Sequence, residues 1–147
     1  MNLLLTIVFT IFVFIIGILP FRVLYIFSDL MYFVLLYVMK YRKPVVRKNL
    51  EDCFPEKSKK EIDQLLRLSY KNLTDVIVEG IKAFTMTDRQ IRERHKVLNP
   101  ELVDQLKNNK TGIIAAPCHY GNWEWGSMSP SLYFNQKIIV FYKPLSN

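Results

Sequence analysis

The stretch "GIIAAPCHYGNWEWG", Gly112 to Gly126, changes the pattern of an otherwise helical-looking chain. Its first five residues, "GIIAA", are a short continuous apolar run, the signature of a strand buried on both faces in a parallel sheet. A second such run, "KIIVFY", spans Lys137 to Tyr142. A turn holding His119 and Gly121 lies between them, followed by a segment that reads as helix. The order strand, turn, helix, strand is one βαβ unit, normally right-handed, with its site beyond the carboxyl ends of the strands. His119 falls just past the first strand. The expected fold class is therefore α/β, mostly helical in this chain, with the start of a sheet near its C-terminal end.

Upstream, "SKKE" (Ser58 to Glu61) has the spacing of a capping box. Ile62, Leu65, Leu66, Leu73, Val76, Ile77 and Ile81 follow at threes and fours, which predicts a long amphipathic helix to about Phe84. A shorter basic helix is expected after "TDRQ". Asn99 and Pro100 read as N-cap and first residue of a third helix, ending near Lys110.

The N-terminus is different in kind. Leu3 to Leu19, "LLLTIVFTIFVFIIGIL", carries no charge and reads as a retained membrane anchor. A signal peptide competes with that reading, but there is no basic n-region and no A-x-A site after Pro20. Phe21 to Met39 is also apolar, yet Arg22, Tyr25, Asp29 and Tyr32 share one helical face. Such a helix suits the interface, or the underside of a soluble domain, better than a second span. "KYRKPVVRK", residues 40–48, holds five basic side chains, which the positive-inside rule keeps cytoplasmic. Residues 1–40 thus read as anchor and interfacial helix, and 41–147 as part of a cytoplasmic-face domain.

The formal charge is +7, and all of the excess lies beyond residue 39, where only Arg22 and Asp29 precede it and cancel. A greasy end followed by a basic body points to an anionic partner such as lipid headgroups or an acidic protein. Two cysteines and two histidines, well separated, form neither a disulfide framework nor a zinc spacing. No phosphate-binding glycine motif and no nucleic-acid-binding motif occurs, so no metal, cofactor or nucleic-acid partner is expected.

His119 and Glu124 carry the chemistry. An imidazole can take the proton of a hydroxyl attacking an acyl carbon, and works better when a carboxylate accepts from its other ring nitrogen. Five residues along a regular helix is about 140° of rotation, so the pair would not face each other there. The spacing works if Gly121 bends the chain and Asn122 starts a helix with Glu124 in its first turn. Exposed amides of that turn would help hold an oxyanion. Trp123 and Trp125 suit an interface between acyl chain and headgroup. As a bare pattern, H-x4-E is weak. Cys118 reads as a small buried thiol rather than a nucleophile. Arg89, Arg92, Arg94, His95 and Lys96 read as a solvated basic face.

Taken together, the apolar anchor, "LPFRVLYIFSDLMYFVLLYV", "YRKPVVRKNLEDCFPEKSKKEI", "HYGNWEW" and "VFYKPLSN" resemble, in this order, the lipid A biosynthesis acyltransferases of the lysophospholipid acyltransferase-like group. The resemblance covers essentially the whole chain. It implies transfer of a fatty acyl group from a thioester, on acyl carrier protein or CoA, to a hydroxyl of a lipid A precursor at the cytoplasmic side of a bacterial inner membrane. Another glycolipid or an aminolipid is the alternative acceptor. By the motif match His119 is the general base and Glu124 its charge partner, with Gly121, Asn122, Trp123 and Lys143 at the substrate. The family commonly has arginine where this chain has Lys143, which meets a phosphate as a point charge without the bidentate fork. Family members run to about twice this length, so the chain reads as an N-terminal half. The competing reading is non-enzymatic: a membrane-anchored basic module that binds anionic lipid or a partner protein.

Overall fold

The computed structural model describes residues 3–107, 113–135 and 137–141. The chain divides after Thr85 into two compact units.

The first unit is built around one long helix. α4 (Lys59–Ala83) begins at the expected capping box: Ser58 N donates to Glu61 Oε2 at 2.8 Å, and Glu61 N donates back to Ser58 Oγ at 3.4 Å. α1 (Leu3–Ile18), α2 (Phe21–Phe33) and α3 (Lys43–Cys53) all pack on it. The buried positions of α4 include Ile62, Leu66, Tyr70, Thr74, Val78 and Lys82, one every four residues along its whole length. A ridge of that spacing runs obliquely over a helix and suits ridges-into-grooves packing. It differs from the face expected on hydropathy alone: Leu73 and Ile77 stay 37% and 39% exposed, while Thr74 and Lys82 are buried. Polar side chains won those positions because α2 and α1 offer them partners.

α2 supplies several of these. Ser28, fully buried, donates to Thr74 Oγ1 at 3.0 Å, and Tyr25 donates to Glu79. Asp29 accepts from Lys71, which also pairs with Asp75 at 3.1 Å. Two members of the polar stripe of Phe21 to Met39, Tyr25 and Asp29, thus reach α4, while Arg22 stays exposed, and two small hydroxyl side chains let the helices approach closely. Leu24 is buried completely, and Leu36, Leu66 and Tyr70 form a core with Val46 and Leu50 of α3. Each buried leucine contributes roughly 2 kcal/mol by transfer from water.

α2 ends in a π-helical turn, Val34–Val38, and then in a corner where Lys40 (φ 49°) and Arg42 (φ 50°) are both left-handed. Lys40 takes the place after the helix that glycine usually fills. Pro44, in the first turn of α3, restarts the helix.

The membrane expectation shifts between helices. α1 has 16 residues, about 24 Å of rise against a hydrocarbon core of ~30 Å. By length and composition, the described helix able to cross a membrane is Phe21–Val38, at mean hydropathy 1.7. Both segments keep large apolar side chains exposed, among them Leu3, Phe9 and Phe14 on α1 and Ile26, Leu30 and Phe33 beyond it.

The second unit holds α5 (Asp88–Arg94), α6 (Glu101–Lys107), α7 (Trp123–Met128) and α8 (Pro130–Tyr133). α5 starts at a second capping box, between Thr87 and Gln90. Neither apolar run is a strand among the described residues. Residues 113–116 and 137–141 form no ladder, and Ile114 and Phe141 are 96% and 95% exposed. A parallel strand satisfies its amides only beside partner strands, and a pair of strands alone is marginal in water. Gly112 and Tyr142, at the outer ends of the two runs, lie outside the described residues.

Candidate active site

The chain turns sharply at the candidate site. Tyr120 N donates to Cys118 O at 2.9 Å, closing a three-residue turn with His119 at its centre. Gly121 follows at φ 61°, a conformation glycine adopts without a Cβ penalty, and nothing lies within 4 Å of where a Cβ would be. Asn122 then caps α7, its Oδ1 accepting from Trp125 N at 3.2 Å. Glu124 sits in the first turn of α7.

The imidazole of His119 lies against Trp123, ring centroids 5.0 Å apart and tilted by 57°. No hydrogen bond or ion pair joins His119 to Glu124 among the described residues, and both side chains are exposed. Trp123 is 37% exposed, whereas Trp125 is buried. One amide of the expected oxyanion donors, that of Trp125, is already engaged by Asn122. Lys143 falls outside the described residues. Cys118 is exposed, contrary to the buried thiol expected, because the apolar run before it is not covered by a sheet. Among the described residues, no three His, Cys, Asp or Glu side chains gather as a metal set.

Sequence reasoning missed what holds α7. His95, read as a solvated group, is half-buried, with Nδ1 2.8 Å from the Oγ of the fully buried Ser129. The guanidinium of Arg94 stands 5.9 Å from the centre of the Trp125 ring, and that of Arg92 5.0 Å from Tyr133. Arg92 also donates to Leu132 O, and Tyr133 Oη donates to His95 O at 3.1 Å. The "RERH" stretch is therefore a clamp on α7 and α8, not a plain solvated face. These contacts join residues 31 to 41 positions apart, so no local spacing announces them.

The profile of the bacterial lipid A biosynthesis acyltransferases matches residues 2–146, and the chain belongs to that family. It is 26% identical over 109 residues to the lipid A biosynthesis palmitoleoyltransferase of Escherichia coli K12, across 74% of this chain and 35% of that protein. The lauroyltransferase of the same organism is 28% identical over the same shares. A lipid A biosynthesis acyltransferase of Haemophilus influenzae is 30% identical, across 72% of this chain and 33% of that protein. The chain thus spans about a third of the length of the curated relatives it matches. No solved structure matches it.

Proposed function

We propose that this chain is the N-terminal part of an acyltransferase that moves a fatty acyl group from an acyl thioester to a hydroxyl of a lipid A precursor. The observation that carries the reading is the family match over residues 2–146, which contains the H-x4-E turn. In this reading an imidazole nitrogen of His119 takes the proton of the acceptor hydroxyl as its oxygen attacks the thioester carbonyl. The carbon–sulfur bond then breaks, and the thiolate takes the proton back from the imidazolium. Glu124 steadies the imidazolium, which requires the His119 ring to swing away from Trp123. Gly121 and Asn122 set the turn, and Trp123 and Lys143 face substrate.

The apolar runs at 113–116 and 137–141 become strands of a sheet completed by further strands of the family fold. Acyl carrier protein or CoA brings the donor, and the net positive charge favours either anionic partner. The exposed apolar faces of α1 and α2 sit in the inner membrane, with the basic residues from Lys40 onward on its cytoplasmic side. The test is acyl transfer by the complete protein carrying His119→Ala. A fall of roughly a thousandfold or more in kcat, with membrane insertion kept, supports the mechanism. Transfer at near wild-type rate ends it.

A further inference from the structure

We propose that a groove between α3 and α4 binds one anionic phospholipid of the surrounding bilayer, its phosphate held at Arg42. This site is separate from the acyl-transfer reading and stands whether or not that reading does.

The groove encloses about 450 Å³. Val45, Val46 and Leu73 make its apolar walls, and Arg42, Asn49 and Ser69 bring polar atoms to it. A single lipid matches that division: one charged headgroup and the upper part of a chain. A multiply acylated saccharide is far too large for it.

Charge points the same way. Arg47, Lys48, Lys57 and Lys71 each reach a carboxylate in this unit, whereas Arg42, the cation that lines the groove, joins no ion pair among the described residues. An arginine without a carboxylate, beside an apolar cleft, is matched to a phosphate that it can meet with two N–H groups.

Position and backbone add to this. Arg42 lies four residues past Val38, the end of the helix that is long and apolar enough to cross a membrane. That is the depth of the headgroups if Phe21–Val38 meets the bilayer. Both Lys40 and Arg42 are left-handed, at about 1–2 kcal/mol each for residues other than glycine. Tyr70 donates its hydroxyl to Tyr41 O between them and holds the corner from α4. Strained corners of this kind cluster at ligand clamps, and this one sets Arg42 in the lining of the groove.

Native mass spectrometry of the detergent-solubilised chain with added phosphatidylglycerol reads the site directly. One tight adduct per chain is expected, weaker by about tenfold in Arg42→Gln, as for a lost charge-assisted contact. Leu73→Trp, which fills the groove and keeps every charge, is expected to weaken it as well. Arg89→Gln, an equal charge change on the exposed surface of the other unit, is expected to leave it within twofold. Circular dichroism confirms that each variant is folded. Equal binding of phosphatidylcholine, or equal losses in Arg42→Gln and Arg89→Gln, overturns the proposal. So does binding of a phosphorylated saccharide lipid alone, or full competition by inorganic phosphate.

Discussion

Ser129 and His95, 34 residues apart, meet at 2.8 Å between Oγ and Nδ1, and the serine is completely buried. This contact ties the end of α5 to the end of α7, whose first turn carries Glu124. Removing the hydroxyl leaves a ring nitrogen without its partner, at a cost of about 1–3 kcal/mol. Ser129→Ala is therefore expected to raise amide hydrogen exchange in 123–133 by tenfold or more, with exchange in α4 unchanged. Unaltered protection of α7 would show that the clamp rests on Arg92, Arg94 and Tyr133 instead.

Gly17 and Lys82 form the corresponding joint in the first unit. Lys82, only 5% exposed, donates to the carbonyls of Gly17 and Leu19, the latter at 2.9 Å, and Thr85 Oγ1 donates to Gly17 O at 2.8 Å. A cation at a helix C-terminus also meets the negative end of its dipole. A Cβ at Gly17 would overlap the Cγ2 and Oγ1 of Thr85, so Gly17→Ala costs about 1–3 kcal/mol. Gly17→Ala is expected to lower the thermal midpoint of the detergent-solubilised chain, and Thr85→Ala in the same chain to restore part of it by removing the clashing methyl and hydroxyl. No loss in the single variant would mean that α1 is not seated on Thr85.

Stability should fall on the acid side through two carboxyls near the start of α4. Hydrogen bonds from the Ser58 hydroxyl and amide hold Glu61 below the usual carboxylate range, and the Arg47 guanidinium does the same for Asp63. A carboxyl depressed in the folded chain binds fewer protons there than in the unfolded one. Its contribution is fully present above about pH 4 and is lost as pH falls through the lower folded value. Melting temperature should thus be insensitive to these groups from about pH 5 upward and drop below about pH 4. Ser58→Ala combined with Arg47→Gln is expected to flatten that drop, and an unchanged acid slope would contradict the assignment.

Gly121 separates backbone demand from space. Its φ of 61° is costly for most side chains, yet a Cβ there would touch nothing. Gly121→Val should destabilise the turn by about 1–2 kcal/mol, and Gly121→Asn by clearly less, because asparagine visits the left-handed region readily. Acyl transfer by the complete protein, compared across the two variants, reads the difference. Equal losses would point to the side chains obstructing substrate rather than to the backbone.

Much of the helical architecture was legible in advance. The capping box at Ser58, the long α4 and the polar residues on one face of α2 followed from local spacing, since a helix repeats every 3.6 residues and its caps bond within four. The second capping box, Thr87 with Gln90, was not singled out, and α5 starts inside "TDRQ" rather than after it. Gly121 and Asn122 were legible for the same reason: each acts on its own backbone or three residues ahead. The apolar runs form no strand among the described residues, because strand pairing is decided by partners elsewhere in the sequence. The choice of Leu3–Leu19 over Phe21–Val38 as the span turned on uninterrupted hydropathy, whereas the continuous helix through Val38 is the longer one.

The sequence by itself determined the helices, their caps, the bend at Gly121 and the family to which the chain belongs, because each is written in neighbours or in an ordered set of motifs. Only the tertiary structure decided that Thr74 and Lys82 face inward while Leu73 and Ile77 do not, and that His95 is a strut rather than a surface charge. The physical reason is the same in both cases. A polar side chain is buried when another segment presents a matching donor or acceptor, and that partner lies 34 to 65 residues away.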